Sequence, residues 1–211
     1  MTKKAKLQVD KPHYFNLKYD SKERWASYWY QINEVVKHKP KTVLEIGVGN
    51  KTVSGYFKKI GIKVTTVDFD KNLKPDIVAS VLNLPFKKNS FDVVLCAEVL
   101  EHLPFKDFPI ALKEIYKVTK NAAIITLPHF SITNLYFGFK LIPFIAKKEF
   151  TYKIDFPIKH QFLGEHYWEI GKKNYTLKEI IGNIKRSGFK ISKTYYPKEN
   201  HYHHFFVLLK E

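Results

Sequence analysis

The chain has 211 residues, 45% of them hydrophobic, enough to bury the core of one domain. Its single cysteine, Cys96, excludes a disulfide framework and a cysteine metal cluster. A formal net charge of +16 does not by itself select nucleic acid, because of 36 basic residues only Arg24 and Arg186 are arginine and no long basic block occurs.

Residues 1–12 read as a polar, lysine-rich tail. A helix is predicted over about 21–38, with Ser21 as N-cap and Glu23 in its first turn. Trp25, Tyr28, Trp29, Ile32, Val35 and Val36 recur at helical spacing, and Pro40 ends the run. A strand over 42–46, a helix over 51–60 and a strand over 63–67 follow, then short strands at 75–79 and 91–97. Cys96 falls in the last of these, where a buried, inert thiol is expected. A helix over 106–119 leads to a fifth strand, 122–127, closed by Pro128.

There the alternation breaks. Residues 129–170 are expected to form a substrate-capping insertion over the ligand edge of the sheet. A helix over 176–187 resumes the pattern, with Thr176 as N-cap, Glu179 as capping-box partner and Gly188 as terminator. Strands at 189–196 and 203–210 close the chain as a hairpin. Strand–helix alternation implies an α/β fold whose ligands sit at the carboxyl ends of parallel strands. The domain reading is a tail plus aromatic lid helix, 1–40, and one domain, 41–211.

The most specific feature is the first strand, Val43-Leu44-Glu45-Ile46, running into Gly47-Val48-Gly49. About twenty residues later a second strand ends in Asp68. Strand, glycine turn, helix, strand, acid is the layout of a nucleotide-binding unit. Glycines allow close backbone approach, and an acid at the second strand tip accepts hydrogen bonds from ribose hydroxyls. Glu45 at the first strand tip repels a pyrophosphate and attracts a ligand carrying an ammonium and a sulfonium. That reading points to S-adenosylmethionine and away from a nicotinamide dinucleotide.

Glu45-x-Gly47-x-Gly49, Asp68, Asn83-Leu84-Pro85-Phe86, Ser90-Phe91-Asp92-Val93-Val94 and Glu98-Val99-Leu100-Glu101-His102-Leu103 occur in register. Together they resemble the class I S-adenosylmethionine-dependent methyltransferases, specifically their type 11 domain, from Val43 to about Pro128. The resemblance implies a Rossmann-like fold: a mostly parallel seven-stranded sheet, helices on both faces and an antiparallel C-terminal hairpin. It implies S-adenosylmethionine as cofactor and S-adenosylhomocysteine as product. It places Glu45, Gly47, Gly49, Asp68, Phe69, Ser80, Val81, Leu82, Ala97 and Glu98 at the cofactor. Two departures stand out: Lys51 replaces the family's usual third glycine, and Ser80 holds a position where an acid often meets the adenine. Lys51 is expected to point to solvent.

Methyl transfer is an in-line displacement that needs alignment and, for a weakly acidic acceptor, a base. His129 and His102 are candidate bases, alongside His160 and His166, and Tyr28 is a candidate neighbour of the methyl group. Trp25 and Trp29 on the first helix suit a sulfonium and are assigned, with His166, Tyr167 and Trp168, to the acceptor side. Glu98 and Glu101, three apart, are expected on a solvated helix face. His201-Tyr202-His203-His204 reads as a polar hairpin bordering the pocket, with no metal required. The apolar stretch 132–146, broken by Pro143, is a lid, a dimer contact or an interfacial membrane segment.

The expected reaction is methylation on O or N of a small-molecule, saccharide-linked or lipid-linked acceptor. An RNA methyltransferase and a non-catalytic cofactor-binding scaffold are the alternatives; nucleic acid is not favoured. The opening Met1-Thr2-Lys3-Lys4 lacks an apolar signal segment, so a cytoplasmic protein, monomeric or homodimeric with at most peripheral membrane contact, is expected.

Overall fold

The computed structural model describes residues 11–131, 133–139, 148–154 and 157–211, with backbone alone for 133–139 and 148–153. Residues 1–10 of the expected tail, and 132 and 140–146 of the apolar stretch, lie outside the described residues.

Seven strands form one sheet: β1 (Thr42–Ile46), β2 (Lys63–Asp68), β3 (Ile77–Val78), β4 (Phe91–Ala97), β5 (Thr119–Pro128) and, later in the chain, β8 (Lys190–Tyr195) and β9 (His203–Leu209). Their order is β3-β2-β1-β4-β5-β9-β8. The first five are parallel; β9 runs antiparallel to β5 and β8 antiparallel to β9. Alternation along each strand sends side chains to two cores. Val43, Val93, Leu95, Ile124 and Phe205 pack under helices α1 (Lys22–Lys37) and α2 (Thr52–Lys59). Leu44, Ile46, Val94, Cys96, Ile125 and Phe206 pack under α3 (Phe108–Val118) and α4 (Leu177–Arg186). The Rossmann-like expectation therefore holds, and the Cys96 thiol is fully buried.

The caps read from sequence are formed: Ser21 accepts from Arg24 N at 3.3 Å and Thr176 from Glu179 N at 3.2 Å. Three elements differ from expectation. The third strand shrinks to two residues, because Pro75 has no N–H and the Asp76 carboxylate itself takes Thr66 N at 2.8 Å. The buried stripe of α1 is Ser27, Tyr28, Gln31, Glu34 and Val35, while Trp25 and Trp29 are 54% and 59% exposed. The helix is rotated so that polar side chains with partners are covered: Lys37 and Lys193 both donate to Glu34 Oε1, at 3.1 and 3.0 Å, as does Tyr195 at 3.0 Å. Third, the insertion carries an antiparallel ribbon, β6 (Thr133–Phe139) with β7 (Lys148–Ile154), where no strand was expected. The aromatic-rich runs on either side of Pro143 have the composition for it. The insertion leaves and returns at one place, since His129 bridges Ile170 in parallel and Phe130 N donates to Ile170 O at 2.8 Å. Among the described residues no helix is long and apolar enough to cross a membrane.

Candidate active site

The turn after β1 is built on three left-handed residues: Gly47 (φ 81°), Gly49 (φ 44°) and Lys51 (φ 64°). A Cβ on Gly47 would sit 2.3 Å from Val99 Cγ2, so the first glycine is required for space as well as for φ. Lys51 occupies the conformation that explains why relatives place a glycine there. Its ammonium is not simply in solvent, as expected from sequence, but donates to the Lys74 carbonyl. A non-glycine residue in this region carries strain of about 1–2 kcal/mol. Lys51→Gly is expected to raise stability by up to about 1 kcal/mol, net of the lost hydrogen bond and the added chain entropy. Thermal unfolding checks this; a lower midpoint would show that the Lys74 contact outweighs the strain.

Acids surround the turn. Asp68, at the end of β2, accepts from Val48 N at 3.0 Å through one oxygen and from Asp70 N at 2.9 Å through the other. These bonds tie strand tip to glycine turn, and each oxygen keeps a second lone pair. Glu45 is 5% exposed, and its Oε2 has no hydrogen-bond partner among the described residues. Burial pushes the Glu45 carboxyl up to about 7. Asp70 Oδ2 is likewise buried without a partner among the described residues. All three acids line one cavity, together with Gly47, Gly49, Phe69, Ser80, Val81, Ala97 and Glu98. Of the residues assigned to the cofactor, Leu82 alone is not on its wall; it packs against the core and gives its N–H to Ser80 Oγ at 3.2 Å.

Several wall residues carried no assignment from sequence. Tyr14, Tyr19, Arg24, Gln31, Asn50 and Asp70 line the same cavity. Arg24 stacks on the Tyr19 ring at 4.0 Å and donates to its hydroxyl at 3.3 Å. Asn50 Nδ2 donates to Asp20 Oδ1 at 2.7 Å, and Tyr28 donates to the same oxygen at 3.1 Å. The sequence signals for this group were its rare arginine and the run Tyr19–Trp25, which resembles a subgroup of the family. Tyr28 lines the cavity, and burial raises its phenol well above its usual range, so it acts as a neutral donor rather than a base.

A second cavity of 660 Å³ adjoins the first and shares Tyr14, Tyr19, Arg24, Glu98 and His102 with it. That volume suits a small organic ligand, for which about 300–1,000 Å³ is usual. Its wall adds Glu101, Glu165, His166, Tyr202 and His203. The expectation of a solvated Glu98–Glu101 face is overturned. Glu101 is fully buried, and neither of its carboxylate oxygens has a hydrogen-bond partner among the described residues. Its burial and the neighbouring Glu98 hold its carboxyl well above the usual range. Glu98 adopts φ 52°, and His203 Nε2 lies 3.7 Å from Glu98 Oε2. Burial lifts Glu98 to about 7 and lowers His203 to about 3.

The candidate bases separate. His102 lines both cavities; burial first, and then His166, lower it to about 4, so its imidazole is neutral. His129 is 3% exposed and is on neither wall. β5 continues to Pro128 and holds the next residue between β9 and Ile170, where His129 Nδ1 meets His204 Nδ1 at 2.8 Å. This position is structural and corrects the assignment of His129 to the chemistry. Three acceptor-side assignments are corrected as well. Trp25 and Trp29 face outward from α1 and line neither cavity. Trp168 is fully buried against Phe105, Phe108 and Tyr175, with Nε1 donating to Leu103 O at 3.0 Å. Tyr167 stacks on Phe162 at 4.5 Å and is also off both walls. His166 does reach the second cavity, as does the His203 edge of the C-terminal hairpin.

Known proteins resemble the chain in sequence and in fold. Residues 44–127 match the model of a methyltransferase domain family. A demethylmenaquinone methyltransferase of Streptomyces griseus is 29% identical over 99 residues, 42% of either chain. An uncharacterized protein of Methanocaldococcus jannaschii is 51% identical over 45 residues, 21% of this chain and 19% of that one. The matched stretches thus span less than half of these curated relatives. The fold superposes on the Burkholderia thailandensis 1,6-didemethyltoxoflavin-N1-methyltransferase, solved with S-adenosylhomocysteine and 1,6-didemethyltoxoflavin, with a TM-score of 0.62. Identity there is 15%, over 95% of this chain and 86% of that one.

Proposed function

We propose, from the premise that this chain carries a class I S-adenosylmethionine-dependent methyltransferase domain, that it binds S-adenosylmethionine and methylates a small acceptor. The observation that carries this reading is Glu45: a buried carboxylate with an unpartnered oxygen, on the same cavity wall as the ribose-type acid Asp68. A buried carboxylate stabilises a cationic ligand and disfavours a pyrophosphate. The Burkholderia enzyme of the same fold binds the demethylated cofactor in its crystal structure.

The acceptor is an oxygen or nitrogen of a small-molecule, saccharide-linked or lipid-linked compound, lodged in the second cavity. Glu23, Glu98, Glu101 and Glu165 line that cavity against Lys18 and Arg24. Lys18 and Arg24 are the lysine and arginine on this wall, whereas a nucleic-acid backbone needs several cationic partners for its phosphates, and Glu98 and Glu101 ionise more readily beside a cation. Alignment of acceptor, methyl and sulfur and exclusion of water are the protein's contributions to rate.

Calorimetric titration with S-adenosylmethionine and S-adenosylhomocysteine, with NAD as control, tests the cofactor. A bound cation favours the ionised Glu45 and so lowers its pKa. Binding therefore releases protons below the free value of about 7, and affinity rises from pH 6 to pH 8. The slope is at most about tenfold per pH unit for one proton, and Glu98, lifted to the same value, adds with the same sign. Glu45→Gln is expected to weaken binding and flatten the profile. A pH-independent wild type would remove Glu45 from the cofactor site. Binding of neither sulfur ligand would sink the methyltransferase reading, and binding without turnover on any acceptor would favour a scaffold.

A further inference from the structure

The unpartnered Glu101 carboxylate is the strangest group in the molecule. It is fully buried, yet it makes no hydrogen bond among the described residues. Two imidazole nitrogens face it: His102 Nε2 lies 3.8 Å and His166 Nε2 4.0 Å from Glu101 Oε1. One donor atom from each residue lies within 4.8 Å of the other two. We propose that Glu101, His102 and His166 bind a divalent transition-metal cation in the wall of the second cavity, with His102 reaching the first as well.

The surroundings of the two histidines support this. His102 Nδ1 meets the Glu165 carbonyl at 3.1 Å, and that oxygen only accepts. The Nδ1 proton is therefore donated to that carbonyl, and Nε2 is the ring nitrogen on the Glu101 side. His166 Nδ1 meets Glu169 Oε1 at 3.0 Å, and that oxygen also accepts from the Tyr202 hydroxyl at 2.8 Å. Carboxylate or carbonyl behind each ring, lone pair in front, is how metal-binding histidines are oriented and made basic. A carboxylate with two imidazoles suits zinc, manganese or iron of charge two better than magnesium or calcium, which prefer oxygen alone. Bonds of about 2.1 Å in a tetrahedral site set neighbouring donors ~3.4 Å apart. The two glutamate–histidine distances, 3.8 and 4.0 Å, exceed that by about half an ångström, a shift within reach of side-chain rotation.

Three protein ligands leave open positions, and His102 and Glu98 place the site against the cofactor cavity. Resting on the methyltransferase reading, the cation identifies the acceptor as a hydroxyl compound. A bound cation would lower the pKa of the coordinated hydroxyl, whose proton would leave to water. The oxygen lone pair then forms the bond to the methyl carbon. The carbon–sulfur bond breaks, its electron pair stays on sulfur, and the sulfonium becomes a neutral thioether.

The test is calorimetry of the chelator-treated full chain with Zn²⁺, Mn²⁺ and Mg²⁺. Wild type is expected to bind one equivalent of Zn²⁺, with Mg²⁺ at least tenfold weaker. His166→Gln and Glu101→Gln are expected to lose at least about tenfold in metal affinity while S-adenosylhomocysteine still binds. His166 is partly exposed, so its variant keeps the test valid if Glu101→Gln misfolds. No saturable metal binding by a wild type that binds S-adenosylhomocysteine would overturn the site and leave a plain ion pair. Metal binding unchanged in His166→Gln would also overturn it. Metal binding without binding of S-adenosylhomocysteine would retain the site and remove the methyltransferase reading.

Discussion

Replacing Trp168 by alanine is expected to destabilise the protein by about 3–5 kcal/mol, the range for deleting a large aromatic side chain from a packed core. The ring is fully buried, with centroid distances of 5.1 Å to Phe105, 5.0 Å to Phe108 and 6.2 Å to Tyr175. Its indole N–H satisfies the Leu103 carbonyl at 3.0 Å. Truncation leaves a cavity between α3 and the end of the insertion, and it strands that carbonyl. Against a total stability of about 5–15 kcal/mol for an ordinary domain, the loss is large. Trp168→Phe refills most of the volume and leaves the carbonyl unpaired, so it is expected to cost about 1–3 kcal/mol. Urea unfolding of the two variants measures both values. A loss under about 1 kcal/mol in Trp168→Ala would show that the ring is not core and would return it to the acceptor side.

Asp68→Ala is expected to weaken S-adenosylmethionine binding by about 1–3 kcal/mol, or roughly 5- to 150-fold, as ribose hydroxyls lose their acceptor. The hydrogen bonds to Val48 N and Asp70 N make the effect twofold in origin. Removing the carboxylate also frees the glycine turn from the tip of β2, so unfolding stability falls with affinity. Asp68→Asn separates the two effects, because its amide oxygen still accepts from one of these N–H groups while the second acceptor is lost. Calorimetry gives the affinities and thermal unfolding the stabilities. Unchanged affinity in Asp68→Ala would place the ribose site elsewhere.

Much of the cofactor side was legible in the sequence because it depends on local chemistry. Gly47 stands at φ 81° against Val99, and no other residue type fits that geometry without a shift. Asp68 closes a strand next to that turn, so spacing along the chain translated directly into proximity. Ser21 and Thr176 announced their helices because a cap acts within three residues. Lys51 was the misleading case: its side chain suggested solvent, whereas its backbone conformation and its bond to Lys74 decide its role.

The acceptor side was mostly illegible. His129 follows a strand, like a catalytic residue, but the length of β5 and its pairing with β9 bury it against His204. Glu101 and His102 lie within the motif 98–103, while His166 is more than sixty residues away. Nothing along the chain states that they converge within 4.8 Å. Trp25 and Trp29 read as a binding face because helical periodicity shows a stripe without its direction. The partners of Glu34, Lys193 and Tyr195, which come from β8, set the rotation of α1.

The sequence by itself determined the α/β alternation, the glycine turn and the two strand-tip acids, since those follow from φ preference, capping and hydrophobic period over short spans. Tertiary structure alone decided which histidines face a cavity, which tryptophan is core and which carboxylate is buried unpaired. Those properties depend on what packs against a side chain from elements far away in the chain, and burial, more than residue type, sets their charge and chemistry.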